Sequence, residues 1–248
     1  MKWQKLQENQ ECLHKLIDQT FEHLISTVGS EIHVNRGELC GAVYDGCLDV
    51  KKYVGAPKHI MWILKEHNDI PASIGSHWVS FADALGDSNA PDVQRFKNNV
   101  CSYRSLRLIE RASRVLMNDR NCDSPETFKK VAIVNLGKCP GNSKTPPVRL
   151  SKLSEWWGDV LVRQVEDYCP DIILIPGNHF SHVASLLKNI RYLTKQEVKT
   201  GSFAARAELY DMHGTPVVHI QHPAWYGCVE DDWVDAIQKV LASKGHAR

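Results

Sequence analysis

The sequence predicts an α/β domain: a three-layer sandwich with a central, mostly parallel four-stranded sheet and helices on both faces. Three observations predict it. Short apolar runs at 59–64, 131–134, 172–175 and 217–220 are each closed by polar or turn residues. Stretches with helical spacing separate these runs, which is the pattern of strands joined by crossover helices. The chain has 248 residues, 43% hydrophobic and 24% charged, a length and balance that suit one soluble globular domain and exclude disordered or collagen-like chains.

The elements follow in order. Leu13, Leu16, Ile17, Phe21, Leu24, Ile25 and Val28 recur at helical spacing and predict an amphipathic helix ending near Gly29. From there to Pro57 the chain is rich in glycine and turn residues, with Tyr44-Asp45-Gly46 read as a turn. The run 59–64 (HIMWIL) is a buried strand, followed by the polar Lys65-Glu66-His67-Asn68-Asp69. A helix is expected over about 91–118 and a second strand at 131–134, leading into Asn135-Leu136-Gly137 and a long Gly- and Pro-containing loop to Pro147. A helix at 153–168, a third strand at 172–175 closed by Pro176-Gly177, a further helix, a fourth strand at 217–220 ending in Gln221-His222-Pro223, and a last helix over about 231–241 complete the chain. No linker divides it, so 1–248 reads as one domain, with 1–57 an N-terminal helix and loop and 58–243 the core.

Thirty Lys and Arg against 29 Asp and Glu give a net charge of +1, so any nucleic-acid surface must be local. Eight scattered cysteines with no CxxC, no apolar leader and no membrane-length apolar run predict a reduced cytoplasmic monomer with no membrane partner. Gly137 to Thr145 has some likeness to a phosphate-binding loop, but Asn142-Ser143 interrupts the spacing. No GxGxxG follows a strand. His219 and His222 point to opposite faces of a strand, and His179 and His182 have no third partner, so neither pair predicts a metal site.

In parallel sheets ligands bind beyond the carboxyl ends of the strands. That rule selects Glu66, Asn135 and His222 as the first candidates. The stretch Val134-Asn-Leu-Gly-Lys-Cys-Pro-Gly-Asn-Ser-Lys-Thr-Pro146 resembles the Asn-bearing strand end and Lys-Cys-Arg-Pro-Pro-Gly-Asn-Arg-Thr-Pro loop of the family 4 uracil-DNA glycosylases. A Pro-Asp-Ile-Ile-Leu-Ile-Pro-Gly strand follows, and His219-Ile-Gln-His222-Pro223-Ala224 resembles the superfamily's final His-Pro-Ser motif. The resemblance covers about 58–243. It departs from the family in the first motif, where Lys65-Glu66-His67-Asn68 lacks the usual Gly and Pro, and in Ala224, which stands in place of Ser. Of the iron–sulfur cysteines Cys139 alone matches; there is no early CxxC, and Trp156-Trp157 lies near the fourth position. The expectation is a buried Cys139 thiol, no cluster, no metal and no cofactor.

The resemblance implies a monofunctional DNA glycosylase that flips a pyrimidine, uracil or a modified one, out of DNA and hydrolyses its N-glycosidic bond. The sugar develops oxocarbenium character and the base departs with negative charge on its oxygens. Glu66 stabilises the cation and orients water, or His67 occupies that position instead. His222 donates a hydrogen bond to the departing base, and Asn135 reads its Watson–Crick edge. Trp78, with Phe81 behind it, either stacks on the base or packs in the core. Trp225 and Tyr226 either fill the gap left by the flipped nucleotide or anchor the last helix. Lys138, Asn142, Ser143 and Lys144 suit phosphate contact. Arg104, Arg107, Arg111 and Arg114 form either a DNA-binding stripe or a solvated helix face. Two other functions fit the same fold: excision of glucosylated hydroxymethylcytosine from phage DNA, and DNA binding without chemistry. A small-molecule hydrolase on the same scaffold rests on fold analogy alone.

Overall fold

The computed structural model describes residues 2–28, 42, 44–65, 104–119, 124–139, 145–223 and 227–243. Helix α1 is Lys2–Val28, strand β1 Gly46–Cys47, helix α2 Val50–Val54 and strand β2 Ile60–Leu64. Helices α3 (Arg104–Leu116) and α4 (Ser124–Lys129) precede strand β3 (Val131–Asn135). Helix α5 is Pro147–Tyr168, strand β4 Ile172–Pro176 and helix α6 Phe180–Leu187. Strands β5 (Ile190–Val198), β6 (Ala205–Met212) and β7 (Thr215–Ile220) lead to helix α7, Glu230–Ala242. Among the described residues no helix is long and apolar enough to cross a membrane.

The α/β class stands, but the sheet is not four-stranded and not mostly parallel. Among the described residues it has seven strands in the order β1-β3-β2-β4-β7-β6-β5. The four expected strands form its centre, and β3-β2, β2-β4 and β4-β7 are parallel. Antiparallel pairings extend both edges: β1 on β3, and β6 then β5 beyond β7. The added hairpins escaped the sequence pattern for a physical reason. In β6 the buried residues are Ala205, Ala207 and Leu209, alternating with Arg206 and Glu208, and two alanines give little apolar signal. Strand β5 is an edge strand carrying Arg191, Lys195 and Glu197, residues that discourage edge-to-edge pairing. The β6–β7 connection is the two-residue turn His213-Gly214, with φ of 51° and 94°. Two positive φ values are what a tight hairpin between twisted strands requires.

Each central strand is buried on both faces. Ile60 and Trp62 of β2 join the core that includes Leu108 and Ile109 of α3 and Trp233 and Ile237 of α7. Met61 and Ile63 join the opposite core, with Leu13 and Ile17 of α1 and Leu153 and Trp157 of α5. Alternate residues of one strand therefore feed two cores, which makes the sheet the middle layer of three. Trp62 and Trp233 stack at 6.0 Å and 9°. The Trp62 indole donates to Ser113 Oγ at 2.9 Å, so its polar atom is satisfied inside the core.

Helix α1 begins eleven residues before Leu13, at Lys2. Its buried stripe runs Leu6, Leu13, Ile17, Phe21 and Leu24. The gap between Leu6 and Leu13 holds Gln10, a polar residue on the apolar face, which is why the periodicity starts late. The Gln10 amide pairs with the Cys47 peptide: Nε2 donates to Cys47 O at 3.1 Å and Oε1 accepts from Cys47 N at 3.0 Å. The same Oε1 accepts from the Tyr168 hydroxyl at 2.9 Å. One glutamine thus covers the outer edge of β1 and ties it to α5.

Gly46 sits under this contact with φ of 130°, and a Cβ there meets Tyr168 Oη at 2.2 Å and Gln10 Oε1 at 3.0 Å. Gly46→Ala should therefore lower unfolding free energy by about 2–3 kcal/mol, from backbone strain and a displaced buried hydroxyl. Urea denaturation checks this; a loss below about 0.5 kcal/mol contradicts the packing described.

Candidate active site at the strand carboxyl ends

The carboxyl ends of β2, β3, β4 and β7 are tied together by main-chain bonds. Leu136 N and Gly137 N donate to Leu64 O and Lys65 O, each at 2.7 Å, so the chain leaving β3 lies along the chain leaving β2. Gly177 N donates to Ile220 O at 2.7 Å and joins the exits of β4 and β7 in the same way. Lys65, Asn135, Gly177 and His222 therefore stand along one edge of the sheet.

His222 is held from both sides. Before it, Gln221 O accepts from the Trp233 indole at 2.9 Å, and the Gln221 amide bonds Ala204 O and Arg206 N. After it, Arg104 donates to Pro223 O at 3.0 Å and to Cys228 O at 2.6 Å. Beneath it lies Gly177 with φ of 95°, where a Cβ meets His222 Cδ2 at 3.3 Å and His222 Cβ at 3.5 Å. Glycine both adopts this conformation and lets the imidazole pack on bare backbone. His219 Nε2 donates to Gly177 O at 3.0 Å, and its Nδ1 faces Glu208 Oε2 at 3.3 Å. The His219 ring stacks on Phe180 at 4.4 Å. His219 is thus a strut for the Gly177 turn. Desolvation, then the nearby Lys65 ammonium, pull the His222 pKa below the ordinary imidazole value of 6.5, so His222 is neutral at neutral pH.

Lys65 was passed over in the sequence as part of a polar run. It stands close enough to His222 and His179 to disfavour the protonation of both, and its Nζ donates to Thr145 Oγ1 at 2.8 Å. A cation at this edge suits a ligand that carries or develops negative charge.

Asn135 lies at the end of β3, 1% exposed. Its backbone N–H and its side-chain Nδ2 both donate to Asp45 Oδ2, at 2.5 and 3.2 Å. Asp45 also accepts from Lys138 Nζ at 2.8 Å and from Gln164 Nε2 at 2.7 Å. An acid surrounded by donors is a carboxylate, and that fixes the Asn135 amide with its NH2 toward Asp45. The turn reading of Tyr44-Asp45-Gly46 gave no hint of this role.

Lys138 corrects the expectation of a phosphate contact. It is fully buried, and its ammonium donates to Asp45, Asn135 O and Gln164 Oε1. Burial pulls its pKa down and the Asp45 carboxylate opposes that pull. Lys138 is the counter-ion of a buried acid and presents no charge to solvent. The arginine stripe is also engaged inside the protein. Arg107 pairs with Glu230 and Arg111 with Asp231, both in the acidic first turn of α7, and Arg114 pairs with Glu110 on its own helix. Arg104 holds the carbonyls of Pro223 and Cys228. Cys139 is a buried thiol whose sulfur accepts from Arg149 at 3.4 Å. Glu66, His67, Trp78, Phe81, Asn142, Ser143, Lys144, Trp225 and Tyr226, and the part of the 91–118 helix before Arg104, lie outside the described residues.

Among the described residues no three His, Cys, Asp or Glu side chains gather as a metal site needs. A cavity of about 690 Å³ opens at the opposite edge of the sheet, lined by Pro57, Lys58, Leu116, Asp171, Pro216 and Leu241. These residues precede the strands or flank the helices, and the histidine cluster is at the other end, so the cavity is not the chemical site.

Two outcomes test this geometry. Lys138→Met should cost about 3–5 kcal/mol, because it strands the Asp45 carboxylate in the interior, and adding Asp45→Asn should recover much of that loss. Urea denaturation of the single and double variants reads the coupling; additive losses contradict it. His179 (1% exposed) is held at about 4 by burial, with His222, His219 and Lys65 adding to the depression against the bond to Ile63 O. The unfolded chain therefore takes up this proton first. His179 contributes its full stability above about pH 6.5, and roughly 3 kcal/mol is lost as the pH falls from there to about 4. In His179→Gln that part of the acid slope should vanish; an unchanged slope contradicts the assignment.

No family model and no curated protein matches the chain. A solved structure similar to it is a domain of unknown function (DUF1537) from Bordetella bronchiseptica, with bound citrate and a domain-swapped dimer. The identity is 14% and the TM-score 0.31, and the match covers 77% of this chain and 43% of that one. At that TM-score the likeness carries neither a fold assignment nor a function to this chain.

Proposed function

We propose that the protein is a monofunctional DNA glycosylase of the uracil-DNA glycosylase type, which extrudes a pyrimidine and hydrolyses its N-glycosidic bond. The observation that carries the proposal is His222 packed on bare Gly177 at the carboxyl edge of the parallel strands, with the Lys65 ammonium, one residue before Glu66 in the chain, near enough to disfavour its protonation. The order of the central strands, β3-β2-β4-β7, supports it, because it brings the three motif-bearing strand ends to one edge.

The chemistry follows from these groups. A water oxygen bonds to the sugar C1′ as the C1′–N1 bond breaks, and the bonding pair leaves with the base. The role proposed for Glu66 is to stabilise the developing oxocarbenium ion and take the water proton. His222, being neutral, donates its N–H to a base oxygen without delivering a proton. The Lys65 ammonium adds positive potential where that oxygen gains charge. A rigidly held donor of this kind contributes roughly 2.7–4 kcal/mol to lowering the barrier. Asn135, with its NH2 turned to Asp45, is a fixed amide at the neighbouring strand end. Arg107 and Arg111 serve the α3–α7 contact in this account, and phosphate contact falls to Asn142, Ser143 and Lys144.

The test is abasic-site formation. Wild-type protein incubated with uracil-containing DNA, or with phage DNA carrying glucosylated hydroxymethylcytosine, should yield alkali-labile sites. Glu66→Gln and His222→Ala should each slow excision by about 10²–10³-fold while DNA binding persists. Binding with no abasic sites on either DNA supports a non-catalytic binder, and turnover of small molecules without DNA affinity supports a hydrolase.

A further inference from the structure

We propose that His179 is a ligand-reading residue of this site, whose Nδ1 accepts a hydrogen bond from an N–H on the ring edge of the bound pyrimidine. The identity of the ligand rests on the glycosylase reading; the acceptor itself does not.

The geometry fixes the tautomer. His179 Nε2 lies 2.9 Å from Ile63 O, and a carbonyl only accepts, so Nε2 carries the proton and Nδ1 carries a lone pair. Nδ1 is buried with no hydrogen-bond partner among the described residues. Its position makes this unusual. His179 is the N-cap of α6, where a side-chain acceptor normally takes a backbone N–H from the first turn, yet it makes no such bond. The ring is turned away from the helix and pinned to β2. A buried acceptor without a partner destabilises the fold, and such groups in a native structure call for an explanation.

The surroundings supply one. A Cβ added at Gly177 lies 3.3 Å from His222 Cδ2 and 3.8 Å from His179 Nδ1, so the two imidazoles flank the same bare stretch of backbone. His222 there presents a donor to a base oxygen, and His179 presents an acceptor. A pyrimidine edge carries an acceptor and a donor side by side: a carbonyl oxygen next to the N3–H of uracil, or the N3 lone pair next to the N4 amino group of cytosine. The notable feature is that His179 cannot switch roles. Its Nε2–H bond and its burial keep Nδ1 unprotonated, so it accepts only, and a ring with no N–H leaves it unpaired.

The test uses two variants and a spectroscopic readout. Gln at 179 keeps a donor for Ile63 O but has no group at the Nδ1 position; Asn places an amide oxygen near Nδ1 and loses the Ile63 bond. In single-turnover excision His179→Gln should be at least tenfold slower than wild type, with an unchanged unfolding midpoint at pH 7.5, and His179→Asn should retain more activity than His179→Gln. Equal rates for wild type and His179→Gln, or the reverse order of the two variants, overturn the inference. Where the wild type cleaves no DNA, the glycosylase reading fails and the ¹⁵N resonance of His179 Nδ1 decides. It should move on titration with 1-methyluracil or 1-methylcytosine and stay in place with 1,3-dimethyluracil. A resonance that none of the three moves, or that all three move alike, overturns the inference.

Discussion

A single buried carboxylate constrains the end of the central strand β3. Asp45 lies in the interior, where an unpaired charge would cost several kcal/mol. It is tolerated because Lys138 neutralises it and because Asn135 and Gln164 fill its remaining lone pairs. Those partners come from β3, from the turn after β3 and from α5, while Asp45 itself leads into β1. The edge strand, the central strand and a covering helix are thus fixed to one another at the point where β3 leaves the sheet. Ion pairs of this kind contribute little net stability against an apolar alternative. What this one supplies is orientation: the Asn135 amide has one direction to face, and the chain from Leu136 to Cys139 has one path.

The other half of the site is held by different means. His222 stands beyond the end of a strand, where side chains usually wander. Here Trp233 grips the carbonyl before it, Arg104 grips the carbonyl after it, and Gly177 offers a flat floor. His219 and Glu208 support that floor from the β6–β7 side. Such preorganisation matters because a donor already in place at a developing oxyanion needs no rearrangement during the reaction. Lys65 serves in a second way, by adding to the burial that disfavours protonation of His222 and His179. The arginines of α3, which by composition alone suit a phosphate backbone, contribute to this support by holding the Pro223 and Cys228 carbonyls and the start of α7.

Much of this arrangement was legible from residue order. Bulky uninterrupted runs such as Ile60 to Leu64 and Ile172 to Ile175 read directly as strands buried on both faces, and the polar residues closing them marked the edge that matters. The hairpins were not legible, because Ala205 and Ala207 face the core with little apolar bulk and β5 carries an edge strand's charges. The start of α1 was hidden by Gln10, whose burial makes sense only once Cys47 and Tyr168 are beside it. Lys138 read as a loop lysine because it sits among Gly, Pro and Asn, the usual company of exposed residues. Its partners, Asp45 and Gln164, are 93 and 26 residues away along the chain, and no local pattern reports them. His179 was set aside as a histidine without a third metal ligand. Its significance lies in a buried lone pair that no described residue binds, which only three-dimensional packing reveals.

The most direct measurement of the central constraint is native-state exchange of the Asn135 amide, the proton that Asp45 holds. Donated to a buried carboxylate at the terminus of a central strand, it should exchange only through global unfolding, with a protection free energy equal to that from urea denaturation and matching that of Ile133 in mid-strand. Exchange at the rate of a frayed strand end, several kcal/mol below the global value, would show that Asp45 does not anchor this edge and would remove the rigidity on which the site depends.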